Sequence, residues 1–202
     1  MATTFLLDEA APFFRKDEKE DIIASLLSVD DATLDTDPPK VICIFGMGGL
    51  GKTTLAKSVY NHREVQECFD VKAWISVREE FDVFRILKQI LEVTAGTSEH
   101  NSTRDHQNIL LELKEKLEEK KYLIVLDDVW NDNKADWDSL LGHLKTARTS
   151  QGSRIIITTR NETVAFAAGA VRSLLLRFLR NEECWSLFTH LAMMIPLNII
   201  GT

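Results

Sequence analysis

Eight residues constrain this chain more than any others: Gly46-Met47-Gly48-Gly49-Leu50-Gly51-Lys52-Thr53, with an apolar run, Val41–Phe45, directly before them and a helix-forming run, Lys52–Asn61, directly after. The pattern is GxxxxGK[ST] in the order strand, glycine-rich loop, helix, which makes it a phosphate-binding loop rather than a chance cluster of glycines. Phosphate oxygens must approach several consecutive backbone N–H groups, and side chains would obstruct them, so glycine occupies the loop. The helix that starts near Gly51 adds the partial positive charge of its N-terminus. Lys52 brings an ammonium to the β- and γ-phosphates, and the Thr53 hydroxyl is a ligand for Mg²⁺ bridging them. Thr54 is placed to support the α-phosphate.

A loop of this kind requires a parallel sheet around it, and the rest of the chain alternates accordingly. Strands are expected at Val41–Phe45, Val71–Val77, Tyr122–Leu126 and Arg154–Thr159. Between them, Asp82–Val93 carries Phe84, Leu87, Ile90 and Leu91 at helical spacing, and Thr103–Lys120 places Ile109, Leu110, Leu113 and Leu117 on one face. Ala95–Ser102 and Thr149–Ser153 read as loops, and Asp30–Lys40 reads as an acidic linker. The expected fold is α/β, a three-layer P-loop NTPase with a parallel sheet and the start of a following helical domain. Three parts are expected: residues 1–40 as N-terminal segment and linker, 41–177 as the nucleotide-binding domain, and 178–202 as an incomplete helical stub.

A second metal contact is needed, and Lys121-Tyr-Leu-Ile-Val-Leu-Asp127-Asp128 offers one about 75 residues after Lys52. An apolar strand ending in two carboxylates is also what a solvated strand end looks like, but after such a loop it reads as a Walker B pattern. Asp127 would then orient a water on Mg²⁺, and Asp128 would polarise the attacking water as general base. The third element is Ser153-Arg-Ile-Ile-Ile-Thr-Thr-Arg160. Ligands of open α/β sheets bind at the strands' carboxyl edge. If this strand inserts between the loop strand and the acidic strand, Arg160 reaches the terminal phosphate; a surface arginine after a strand is the plain alternative.

Charge and composition limit the remaining possibilities. Asp and Glu outnumber Lys and Arg, 31 to 24, a formal charge of −7, so no overall positive field draws the chain to nucleic acid or an anionic membrane. Cys43, Cys68 and Cys184 form no CxxC or Cys/His group, which argues against a disulfide framework or zinc site and for a reducing compartment. The longest apolar stretch near an end, Leu191–Ile200, is too short and interrupted for a membrane span. No secretory signal is visible at Met1–Ala11. A cytoplasmic protein is expected, with no nucleic-acid partner and no membrane span. Trp74, Trp130, Trp137 and Trp185 read as core or domain-packing aromatics, and His62, His100, His106, His143 and His190 stand in no ligand spacing.

In combination these blocks resemble the nucleotide-binding (NB-ARC) domain of plant disease-resistance receptors. Val41–Ala56 is similar to that family's phosphate loop, Phe69–Val77 to its second-strand block, and Leu123–Trp130 to its kinase-2 block, Trp130 pointing to the coiled-coil branch. Gly152–Arg160 resembles the block with the phosphate-sensing arginine, and Leu179–Phe188 the one opening the helical region. The resemblance implies a switch that holds ADP at rest, exchanges it for ATP on pathogen perception and resets by slow Mg²⁺-dependent hydrolysis. Lys52, Thr53, Asp127, Asp128 and Arg160 would take the roles derived above.

The implied partners are ADP or ATP and other resistance-protein domains or full-length receptors. The family's Gly-Arg pair near the adenine pocket is Phe14-Arg15 here, and its Gly-Leu-Pro and Met-His-Asp blocks do not occur among the 202 residues. A fragment or truncated product is therefore expected. The other readings are a relative that no longer cycles and acts through a full-length receptor, and a dedicated P-loop ATPase or kinase. Enzyme activity is expected to be at most that of a slow ATPase.

Overall fold

The computed structural model describes residues 15–28, 39–77, 81–95, 106–145 and 152–194. The acidic linker at 30–38, the loop positions 96–102 and 149–151, His100 and the last eight residues lie outside the described residues.

Five strands form one sheet in the order β2-β3-β4-β1-β5, every adjacent pair parallel. They are β1 (Lys40–Phe45), β2 (Val71–Ser76), β3 (Tyr122–Val129), β4 (Arg154–Thr159) and β5 (Arg172–Leu175). β1, β3 and β4 are near-continuous runs of Val, Ile and Leu because both of their faces are covered. β4 lies between β1 and β3, the order under which Arg160 comes to the loop end of the sheet.

Alternate strand residues feed two cores. On one face Cys43, Ile75, Ile124, Leu126, Ile155 and Ile157 meet the apolar sides of α4 (Val83–Ala95), α5 (His106–Leu117), α6 (Lys134–Leu144) and α7 (Glu162–Ala167). On the other, Ile42, Ile44, Leu123, Val125 and Ile156 meet α1 (Lys16–Leu27), α2 (Lys52–Tyr60) and α3 (Arg63–Cys68). The result is three layers, α/β/α. Each fully buried Leu or Ile side chain contributes about 1.5–3 kcal/mol relative to exposure. Asn133 and Asn161 cap α6 and α7, their side chains accepting from the N–H groups of Ala135 and Thr163. Burial pushes the Cys43 thiol up to about 12, and all three cysteines are free.

The structure departs from the sequence expectations in several places. β3 does not stop at Leu126: its pairing resumes at Val129 opposite Thr159, with a register shift between Leu126 and Val129. The carboxylates therefore sit inside the strand, in a bulge. Lys16–Leu27, grouped by composition with the N-terminal segment, is a helix that buries Ile22, Ile23 and Leu26 against the sheet layer. β5 carries mostly exposed residues; it is a strand because it pairs with β1, not because of its own pattern. Of the tryptophans only Trp137 is fully buried, whereas Trp130 and Trp185 are exposed. α8 (Asn181–Met194) follows β5, with Trp185 and Phe188 stacked on its exposed surface. Among the described residues no helix is long and apolar enough to cross a membrane.

Candidate functional site

The loop Gly46–Gly51 joins the carboxyl end of β1 to α2. Its glycines are required by geometry at two places in particular. Gly46 has φ +146°, and a Cβ there would stand 2.6 Å from the Leu176 carbonyl oxygen, so the loop passes too close to the chain after β5 for any side chain. Gly51 caps α2 in the left-handed region, φ 87° and ψ 24°, a conformation that favours glycine. The Leu55 N–H donates to the Gly51 carbonyl at 2.8 Å, starting the helix whose first residues, Lys52, Thr53 and Thr54, follow the loop.

Lys52 is only 8% exposed, and its ammonium donates to the carbonyls of Gly46 (2.8 Å) and Met47 (2.7 Å). Burial pushes its pKa down, the nearby Arg160 guanidinium pushes it further the same way, and Asp128 and Asp127 oppose them. The sequence-expected site residues are therefore electrostatically coupled. Met47 stands exposed on the loop, Gly48 lies against Arg160, and a Cβ at Gly49 would meet nothing within 4 Å.

Asp127 and Thr53 meet directly. The Thr53 hydroxyl donates to Asp127 Oδ1 at 2.8 Å, and Asp127 is 4% exposed. The same carboxylate oxygen accepts from the hydroxyl of Thr158, which in turn accepts from the Asp128 N–H at 2.9 Å. Thr158 thus holds both acids of the bulge from the neighbouring strand. Asp128 has φ +59°, a left-handed backbone at the bulge. Sequence reasoning passed over Thr158 because a threonine at a strand end carries no chemical signature of its own.

Hard oxygen donors on one hydroxyl and one carboxylate, side by side at the loop's helix, fit Mg²⁺, which keeps most of its waters and takes one or two protein oxygens plus phosphate. Thr53 and Asp127 are the residues that would hold it.

Arg160 follows β4 and is exposed. Its ζ carbon stands 4.8 Å from the centroid of the Trp130 ring, and its Nη1 lies 3.3 Å from where a Gly48 Cβ would be. Arg15 also reaches the loop. It is 7% exposed, adopts φ 56° before α1, and donates to the carbonyls of Leu50 and Arg177 and to Glu18 Oε1. It therefore ties α1, the phosphate loop and the segment after β5 together. Only its place at the arginine of the family's Gly-Arg pair, Phe14-Arg15 here, signalled this in the sequence.

Curated disease-resistance proteins and solved P-loop structures are similar to this chain. The chain is 44% identical over 157 residues to disease resistance protein RPP13 of Arabidopsis thaliana, 75% of this chain and 18% of that protein. It is 38% identical over 190 residues to disease resistance protein RGA2 of Solanum bulbocastanum, 94% of this chain and 19% of that one. The chain thus spans about a fifth of the length of these curated relatives. Among solved structures, the Aeropyrum pernix ORC2 protein superposes with a TM-score of 0.60 at 17% identity, covering 89% of this chain and 52% of that one. The ORC1 protein of the same organism gives 0.60 at 14% identity, over 89% and 49%. Both show the same fold. A glycine loop against Leu176, paired acids in a β3 bulge and an arginine after β4 all fall inside residues 15–198, which match the NB-ARC domain model, and the chain belongs to that family.

Proposed function

We propose that this domain binds ADP and ATP with Mg²⁺ at the Gly46–Thr54 loop and acts as a nucleotide-dependent switch in a cytoplasmic plant disease-resistance protein, hydrolysing ATP slowly. One observation carries the reading: Thr53, Asp127 and Thr158 are hydrogen-bonded into a single unit that joins the phosphate loop, β3 and β4 at one sheet edge. Any ligand that draws on Thr53 or Asp127 acts on all three elements. A device that must distinguish two nucleotide states needs such a connection.

In this reading the backbone N–H groups of Gly46–Gly51 bind the phosphates, Lys52 leaves its two carbonyl partners for the terminal phosphates, and Arg160 reads the γ-phosphate. Asp128 accepts a proton from the attacking water. Mg²⁺, held by Thr53 and Asp127, would neutralise the developing phosphate charge. The switching unit is residues 41–177, with α8 at the start of the helical region in 178–202. Its partners are the other domains of a resistance protein or a full-length receptor.

A steady-state ATP hydrolysis assay tests the proposal. A switch turns over far below the roughly 1 per second at which ordinary enzymes begin, and Asp128→Asn slows it further. Sustained turnover of several per second would instead make this a dedicated ATPase.

A further inference from the structure

Trp130 stands just after the β3 bulge with 54% of its surface exposed. A large apolar ring in that position gains little from core burial, and the roles proposed above do not use it. Its contact is Arg160. The guanidinium carbon lies 4.8 Å from the indole centroid, within the range of a cation–π interaction, for which tryptophan is the best ring. The same guanidinium borders the middle of the phosphate loop, where a Cβ on Gly48 would come 3.3 Å from Nη1 and 3.4 Å from the ζ carbon.

An arginine side chain free in solvent samples many rotamers, and a ligand that needs one of them must bear the ordering cost. A ring that holds the guanidinium beside the loop removes part of that cost before phosphate arrives. The contact also joins the two strands that matter, because Trp130 follows β3 and Arg160 follows β4. We propose that Trp130 is a positioning residue for Arg160, holding its guanidinium against Gly48 so that the domain distinguishes a triphosphate from a diphosphate. This rests on the reading of Arg160 as the reader of the terminal phosphate.

The test is equilibrium titration of the full chain with ADP and with the Mg²⁺ complex of the β,γ-imido analogue of ATP. The quantity read is the ratio of the two affinities in wild type, W130A, W130F, R160A and the W130A/R160A double variant. W130A is expected to lower the preference for the triphosphate about two- to fivefold, the range expected of an exposed cation–π contact. The change should fall on the imido analogue rather than on ADP, with the melting temperature lowered by no more than a few degrees. W130F, which keeps a π face, should restore part of it. In the R160A background W130A should add nothing, since the two act as one unit.

A W130A ratio equal to wild type, with R160A still lowering it, would overturn the role of Trp130 and leave the reading of Arg160 standing. Additive effects of the two substitutions would also overturn it. A ratio unmoved by R160A would instead overturn the reading of Arg160, and the role of Trp130 with it.

Discussion

The Thr53 hydroxyl donates to Asp127 Oδ1 at 2.8 Å across 74 positions of sequence. The first turn of α2 is thereby fixed to β3 through the two groups that would share Mg²⁺. Replacing the acid by its amide keeps the shape and removes the charge. Asp127→Asn is expected to abolish most of the gain in ATP affinity that Mg²⁺ provides, about tenfold or more, since hydrogen bonds to charged groups contribute about 1.5–3 kcal/mol. Titrations with Mg²⁺ and with a chelator check it; an undiminished Mg²⁺ effect would contradict the assignment.

Thr158 is buried and bonded to both acids of the bulge. Valine has nearly its shape but no hydroxyl, so Thr158→Val leaves the Asp127 carboxylate and the Asp128 N–H each short of a partner. A loss of about 1–3 kcal/mol in unfolding free energy is expected, together with slower hydrolysis. Thr158→Ser keeps the hydroxyl and should recover most of both. Denaturant unfolding and single-turnover assays separate the two variants.

Lys52 supplies a pH signature. Its pKa lies below the ordinary 10.5, through burial and then Arg160. Between that lowered value and 10.5 the unfolded chain binds more protons than the folded one, so the Lys52 contribution makes stability rise with pH across that window. A bound phosphate favours the charged ammonium and raises the pKa again. ADP binding in alkaline buffer just below 10.5 should therefore take up protons. Calorimetry in two buffers of different ionisation enthalpy would detect the uptake, and Lys52→Met should abolish it.

Gly46 is held by backbone rather than by a yielding side chain: its nearest neighbour would be the Leu176 carbonyl oxygen at 2.6 Å. Gly46→Ala is expected to displace the loop or the segment after β5, lowering both stability and nucleotide affinity. Gly49→Ala, with open space around its Cβ and only a φ of +80° to oppose it, should be the milder change. Melting curves with and without ADP rank them.

The phosphate loop could be read from sequence because its constraint is local: glycines where backbone must meet phosphate, then Lys52 and Thr53 as the first residues of a helix. β4 was legible as an unbroken apolar run, but its place between β1 and β3 stood only as the condition under which Arg160 reaches the loop, and the pairing supplies it. What escaped was long-range. Arg172–Leu175 has no strand pattern of its own and becomes β5 by pairing with β1. The left-handed turn at Asp128 and its N–H bond to Thr158 depend on a strand 30 residues away. Trp130 read as a core or domain-packing aromatic, and in the structure it is exposed. Its contact with Arg160 joins residues 30 positions apart and leaves no periodicity in the sequence.

Calorimetric titration of the chain with ADP and with Mg²⁺–ATP, alongside Lys52→Ala, tests the central claim most directly. The account predicts saturable one-to-one binding of both nucleotides and its weakening about ten- to a hundredfold in the variant, as expected for a lost charged contact. A chain that unfolds cooperatively, and so is folded, yet binds neither nucleotide would contradict it.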